Sequence, residues 1–243
     1  MSTRRRSKAA KRDKPVIPAV RADGLEKSYG EVTALAEIDL EVPQGEAVVL
    51  VGHNGSGKST LLGLLAGTME PSEGSVEIFG AAPGIPRARV QRAWLPDNPV
   101  LYDDLTVREH LEYVSRLHGG DADDDAMDEL LERLDLAGRS DDLPSQFSRG
   151  LRQKTAIAVA MCRPFSLLLV DEPFVGLDAR GRTTMLALLA EASERGATLM
   201  VATHDPDVID TFDRGLMLEN GELLWDGPAS KLPAQMAEGG STD

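Results

Sequence analysis

The stretch "EAVVLVGHNGSGKSTLLGLLAG", Glu46 to Gly67, decides how the rest of the chain is read. Its first part, "EAVVLVG", is short, β-branched and bounded by turn residues, the pattern of a buried strand. From Lys58 the spacing predicts a helix, "KSTLLGLLAG", that stops at Gly67. Between them Gly52, Gly57, Lys58 and Ser59 fill the pattern G-x-x-x-x-G-K-S/T. Glycines let the backbone curl so that successive N–H groups converge on phosphate oxygens. Lys58 offers a compact positive charge to the terminal phosphates, Ser59 offers a hydroxyl to Mg²⁺, and the helix start adds its positive end. His53, Asn54, Gly55, Ser56 and Thr60 complete the loop.

A phosphate cradle needs a carboxylate at the end of a neighbouring strand. "SLLLVDEP" supplies Asp171 after four apolar residues, with Glu172 beside it. Asp171 is expected to hold Mg²⁺, and Glu172 is placed to polarise an attacking water as general base.

The chain has 243 residues, enough for one sizeable core with a satellite subdomain. Its apolar runs are far shorter than the roughly 20 residues of a membrane-spanning helix. The single cysteine, Cys162, can form no internal disulfide and fits a reducing compartment. Residues 1–14 carry seven Lys or Arg against Asp13, a tail charge of +6 that leaves −20 for the remainder of a chain whose net charge is −14. A body this acidic repels nucleic acid, so none is expected as a partner. Residues 1–18 read as a disordered basic tail without the apolar core of a signal peptide.

Strands are expected around Val20–Ser28, Ile38–Val42, Gly74–Gly80 and Arg92–Pro96. "LTVREHLEYVSRLHG" and "DDAMDELLERLDLAG" are two amphipathic helices, the second opened by the acidic run Asp121–Glu129. Strand–helix alternation then resumes: helix Arg149–Arg163, strand "FSLLLV", helix Ala179–Arg195, strand "ATLMVAT", a short helix after Asp205, and a hairpin across Asn220-Gly221. This is an α/β nucleotide-binding layout with a helical insert and antiparallel strands at both ends.

With these elements in place, five further motifs carry a resemblance to the ATP-hydrolysing subunit of ATP-binding cassette (ABC) transporters, over about Val20 to Trp225. Tyr29 in "EKSYG" matches an aromatic residue that stacks on adenine. Asp97 in "WLPDNP" lies in the loop that links the two subdomains. "FSRGLRQK", Phe147 to Lys154, occupies the signature position, and "GLD" (Gly176 to Asp178) matches a loop that crosses a dimer interface. His204 in "THD" matches a histidine that senses the γ-phosphate.

The resemblance implies a P-loop NTPase core of RecA-like type, with a mostly parallel sheet, an antiparallel β-subdomain and an α-helical subdomain at about 98–150. One ATPase domain would span 19–228, with a C-terminal extension over 229–243. It implies ATP and Mg²⁺ as ligands, with Asp97 joining Ser59 and Asp171 at the metal. It also implies an ATP-sandwich dimer with a second copy or a homologous ATPase, in which Ser148 and Gly150 face the nucleotide held by the partner's cradle. The output would go to a separate integral membrane permease, at the cytoplasmic face of the membrane.

Two motifs depart from the family pattern. The commonest signature is LSGGQ, and here Arg149 and Leu151 replace a glycine and the glutamine, a form that resembles exporters of drugs, antibiotics and polysaccharides. The linking loop usually carries Gln, and here it carries Asp97. The competing readings are a non-transport ABC ATPase of translation, repair or assembly, and a P-loop kinase or GTPase. Translation types usually carry two cassettes, repair types insert long coiled coils, and GTPases need a base-reading N-K-x-D.

Overall fold

The computed structural model describes residues 16–121 and 123–232. The expected tail falls mostly on residues 1–15 and the expected C-terminal extension mostly on 233–243, both outside the described residues.

The elements run β1 (Val20–Tyr29), β2 (Val32–Val42), β3 (Ala47–Val51), α1 (Lys58–Leu65), β4 (Glu73–Ile78), α2 (Pro86–Gln91), β5 (Arg92–Leu95), α3 (Val107–Leu117), α4 (Asp124–Arg133), α5 (Arg149–Met161), β6 (Leu167–Asp171), α6 (Ala179–Glu194), β7 (Thr198–Ala202), α7 (Pro206–Ile209), β8 (Arg214–Glu219) and β9 (Glu222–Pro228). They form a six-stranded sheet in the order β5-β6-β7-β3-β8-β9 and a three-stranded sheet in the order β2-β1-β4. The first five strands of the larger sheet are mutually parallel and β9 pairs antiparallel with β8. The smaller sheet is antiparallel throughout.

The central strands β6, β7, β3 and β8 of the large sheet are buried on both faces, and their two-residue period divides the core. Val49 and Val51, Leu168 and Val170, and Leu199 and Val201 face one cluster with α5, α6 and the helical segment. Val48 and Leu50, Leu167 and Leu169, and Met200 and Ala202 face the other, with α1 and the small sheet.

Local chemistry explains most boundaries. Thr106 and Glu109 form a reciprocal capping box at the start of α3. Asp123 caps α4, with Asp124 and Asp125 in its first turn, as the acidic run predicts. Asn220 (φ 50°) and Gly221 (φ 84°) turn the β8–β9 hairpin at the expected dipeptide.

The structure corrects one reading and adds one element. Strand β2 starts at Val32 rather than near Ile38, because Tyr29 pairs with Val32 in a tight hairpin whose Gly30 sits at φ 62°. Helix α2 has only six residues, too few to show a helical period, and is opened by Pro86.

Helices α3 and α4 belong to the same apolar cluster as α6, with Leu111, Leu130 and Leu131 in it alongside Leu188 and Leu189. Arg133 of α4 adds a two-pronged pair to Glu191 of α6, at 2.6 and 3.0 Å. Leu131→Ala is therefore expected to cost about 2–5 kcal/mol in denaturant unfolding followed by tryptophan fluorescence. A loss below about 1 kcal/mol would show that the helical segment is not packed into the shared core.

Candidate functional site

Parallel strands deliver their carboxyl ends to one edge of a sheet, and the strand order decides which ends are neighbours. Here β5, β6, β7 and β3 lie side by side. They end at Asp97, at Asp171-Glu172, at His204 and at the Gly52–Ser59 loop, respectively. The topology thus gathers the motifs around one cavity of about 340 Å³, lined by Ala34, the run 54–60, Asp97 and Glu172.

The loop has little room for side chains. A Cβ on Gly52 (φ 151°) would lie 2.2 Å from the Leu218 carbonyl, and one on Gly57 (φ 107°) would lie 2.9 Å from the Ala34 carbonyl. Gly57 is also the N-cap of α1. The hairpin turn supports the loop from outside, since the Gly221 N–H donates to the Ser56 carbonyl at 3.0 Å.

The Lys58 ammonium is buried and donates to the Gly52 carbonyl at 2.7 Å and the His53 carbonyl at 3.2 Å. Burial lowers its pKa, while the charges of Glu172 and Asp171 oppose the shift. Glu172 Oε1 lies 4.0 Å from Lys58 Nζ, and Glu172 Oε2 lies 3.0 Å from His204 Nδ1. Glu172 has a left-handed backbone, φ 46°, rare for a residue other than glycine and a form of strain that clusters at functional sites. Its N–H donates to the Ala202 carbonyl at 3.0 Å, which holds that conformation.

Burial raises the Asp171 carboxyl above the ordinary carboxylate range, and the charges of Glu172 and Asp97 add to this. A hydrogen bond from Ser59 and the charge of Lys58 oppose it. Three buried oxygens here, Ser56 Oγ, Asp171 Oδ1 and Glu172 Oε1, have no hydrogen-bond partner. Native interiors rarely leave such atoms unmatched. A hydroxyl and a carboxylate side by side are hard oxygen donors, the type Mg²⁺ takes alongside substrate phosphates. The residues present fit a magnesium–triphosphate ligand.

The other expected residues do not line this cavity. The Tyr29 ring is exposed, with Lys27 Nζ 5.0 Å from its centroid and its hydroxyl 3.6 Å from Met69 Sδ. Ser148 is exposed and caps α5 by accepting from the Leu151 N–H. Gly150 presses on the loop after β6, so that a Cβ would lie 2.6 Å from the Gly176 carbonyl. Asp178 caps α6 through the Gly181 N–H at 2.8 Å and pairs with Lys154 at 3.3 Å.

Sequence reading overlooked Ala34 and Gly221, which act through backbone and carry no motif. It also overlooked Gln153 and Lys154, although two buried polar side chains on a helix facing the core are a legible signal. Gln153 donates to the Pro173 carbonyl at 3.3 Å, beside Glu172.

A phosphate loop, a strand-end Asp-Glu pair and a strand-end histidine around one cavity define a nucleotide-hydrolysing P-loop protein. Comparison with known proteins narrows the class. The ABC transporter family matches residues 35–175. The SkfA peptide export ATP-binding protein SkfE of Bacillus subtilis (strain 168) is 31% identical over 210 residues, covering 85% of this chain and 88% of that protein. The thiamine import ATP-binding protein ThiQ of Chelativorans sp. (strain BNC1) is 38% identical over 220 residues, covering 88% and 89%. A solved ATP-binding subunit of an ABC transporter superposes with a TM-score of 0.80 at 32% identity, covering 86% of this chain and 90% of that one. The chain belongs to the ABC transporter family, as an ATP-binding and ATP-hydrolysing subunit.

The buried Asp171 carboxylate, with Oδ1 unpartnered, makes a stability prediction. Asp171→Asn should stabilise the nucleotide-free, chelator-treated protein by about 1–3 kcal/mol at neutral pH, the scale of an unsatisfied buried polar group. Because the folded carboxyl holds its proton more tightly than the unfolded one, the penalty is present above its raised folded pKa and fades as pH falls through it. Thermal unfolding of both proteins across pH checks this. A variant less stable than the parent at neutral pH would contradict it.

Proposed function

We propose that the chain works as a Mg²⁺-dependent ATPase engine that drives a separate membrane permease by closing and opening a dimer. The observation that carries the reading is the set of buried charges on Lys58, Asp171 and Glu172, with the orphaned oxygens Ser56 Oγ, Asp171 Oδ1 and Glu172 Oε1, around one cavity. Lys58 binds the terminal phosphates, and Gly52, Asn54, Gly55, Ser56, Gly57, Ser59 and Thr60 shape the cradle. Ser59 and Asp171 would hold the metal, which when bound supplies charge neutralisation on the phosphates. Glu172 takes the proton of the attacking water, and His204, paired with it at 3.0 Å, senses the γ-phosphate. Tyr29 offers its exposed ring to adenine.

Ser148 and Gly150, exposed or half-exposed at the start of α5, are proposed to face the nucleotide of a second subunit, with Asp178 in the loop that crosses between them. Asp97 is proposed to report occupancy to the permease rather than to hold the metal, since Oδ1 lies near Arg149 and Oδ2 accepts from Asn98. The domain so defined spans 19–228, with the helical part at about 98–150. The subunit is proposed to sit at the cytoplasmic face of the membrane beside its permease; among the described residues no helix is long and apolar enough to cross a membrane.

The signature "FSRGL" and the likeness to a peptide-export subunit support export. The likeness to a thiamine-import subunit is the counterweight, and cargo movement in vesicles carrying the permease decides the direction.

Lys58→Ala should abolish tight Mg·ATP binding in a titration, because the phosphates lose their one buried cation. Glu172→Gln should keep binding, slow hydrolysis by roughly 10²–10⁴ and trap an ATP-bound dimer on size exclusion. Unchanged affinity in the first variant, or a hydrolysing monomer under all conditions in the second, would overturn the reading.

A further inference from the structure

Two of the positions that depart from the family pattern, Arg149 and Asp97, face each other. Arg149 Nη2 lies 3.8 Å from Asp97 Oδ1. Asp97 belongs to the loop after β5 and lines the nucleotide cavity, whereas Arg149 is the first residue of α5, on the far side of the helical insert. The arginine is aimed by its surroundings. Its aliphatic stem runs along Gly176, where a Cβ would lie 3.6 Å from Arg149 Cγ and 3.7 Å from Cδ. Gly176 has φ 81°, a conformation side chains disfavour, so the loop after β6 offers a bare backbone for the stem to cross. Arg149 therefore joins the two loops that follow β5 and β6, and both strands end at the cavity.

The charges around that cavity give the pair a purpose. Two carboxylates, Asp97 and Glu172, line it with the buried cation Lys58, and a third, Asp171, lies close enough to feel all three charges. Asp171 has Ser59 beside it and Glu172 has Lys58 and His204. Asp97 has Asn98 and Arg149. A glutamine in this loop would bring no charge toward a triphosphate, but a carboxylate repels one unless a cation balances it. We propose that Arg149 is a positioning residue for Asp97: the pair turns the carboxylate toward α5 and balances its charge, so that an acidic linking loop stays compatible with a bound triphosphate. The same contact ties the signature helix to the loop that senses nucleotide. The proposal rests on the reading of the cavity as the ATP site.

Both partners are partly exposed, with side-chain exposures of 67% and 37%, so the effect is modest and sensitive to salt. A double-mutant cycle on the full chain tests it, with Mg·ATP titration for Kd and steady-state kinetics for KM and kcat. Arg149→Ala should raise Kd and KM about two- to fivefold at low salt, acting on KM rather than kcat, and Arg149→Lys should restore most of the loss. In an Asp97→Asn background the same Arg149→Ala change should have little effect, because no charge is left to balance. Rising ionic strength should erase the difference between the parent and Arg149→Ala. An equal loss in both backgrounds would overturn the proposal, since Arg149 would then act on nucleotide directly or through its helix. Tighter binding by Arg149→Ala would overturn it too, by showing that a freed Asp97 serves the metal. If Arg149→Ala fails to fold, Arg149→Gln in the same two backgrounds runs the same cycle. Failure of the parent chain to bind Mg·ATP would overturn the nucleotide reading itself and the proposal with it.

Discussion

A buried ammonium is the constraint on which the structure turns. Lys58 sits with its charge largely removed from water, held by two backbone carbonyls and facing two carboxylates. Carrying a cation into a low-dielectric interior is costly unless partners compensate. The carbonyls of Gly52 and His53 can point at Lys58 only because the loop curls back on the first turn of α1. That curl in turn requires a bare backbone at Gly52 and Gly57, where a methyl group would strike Leu218 or Ala34. The phosphate loop, the hairpin turn at Gly221 and the start of α1 thus form one packed unit whose centre is a charge.

The sheet order converts that unit into a site. With β3 beside β7, β7 beside β6 and β6 beside β5, four strand ends meet without any loop having to reach far. The left-handed backbone of Glu172 turns its carboxylate back between Lys58 and His204 instead of letting it continue along the strand. The strain is held by the Ala202 carbonyl across the ladder. Asp171 and Glu172 are adjacent in sequence and differ in surroundings, the first beside the Ser59 hydroxyl and the second between a lysine and a histidine. Neighbouring carboxylates in unlike environments can take unlike roles.

Much of this was legible before any coordinates. Runs such as "EAVVLV" and "SLLLV" announce strands buried on both faces, and turn residues after each mark where chemistry can sit. The hairpin at Asn220-Gly221 and the acidic start of α4 follow from local chemistry alone. Other features depend on pairings between distant segments. The early start of β2 comes from a hairpin whose strand is half exposed and lacks strict alternation. Ala34 and Gly221 meet the phosphate loop through carbonyl and N–H groups, which no side-chain pattern records. The pairing of Arg149 with Asp97 joins positions 52 apart in sequence, and each alone reads only as a departure from a pattern.

The central claim is that these buried charges and orphaned oxygens receive a magnesium-bound triphosphate. Thermal unfolding of the intact chain with ATP alone, Mg²⁺ alone and both together tests it most directly. Ligand that binds only the folded state stabilises it by about 2.7 kcal/mol at a hundredfold excess over Kd. The account predicts a rise of several degrees with Mg²⁺ and ATP together, well beyond that with either alone. Equal transitions in all conditions, with the protein folded at the start, would contradict it.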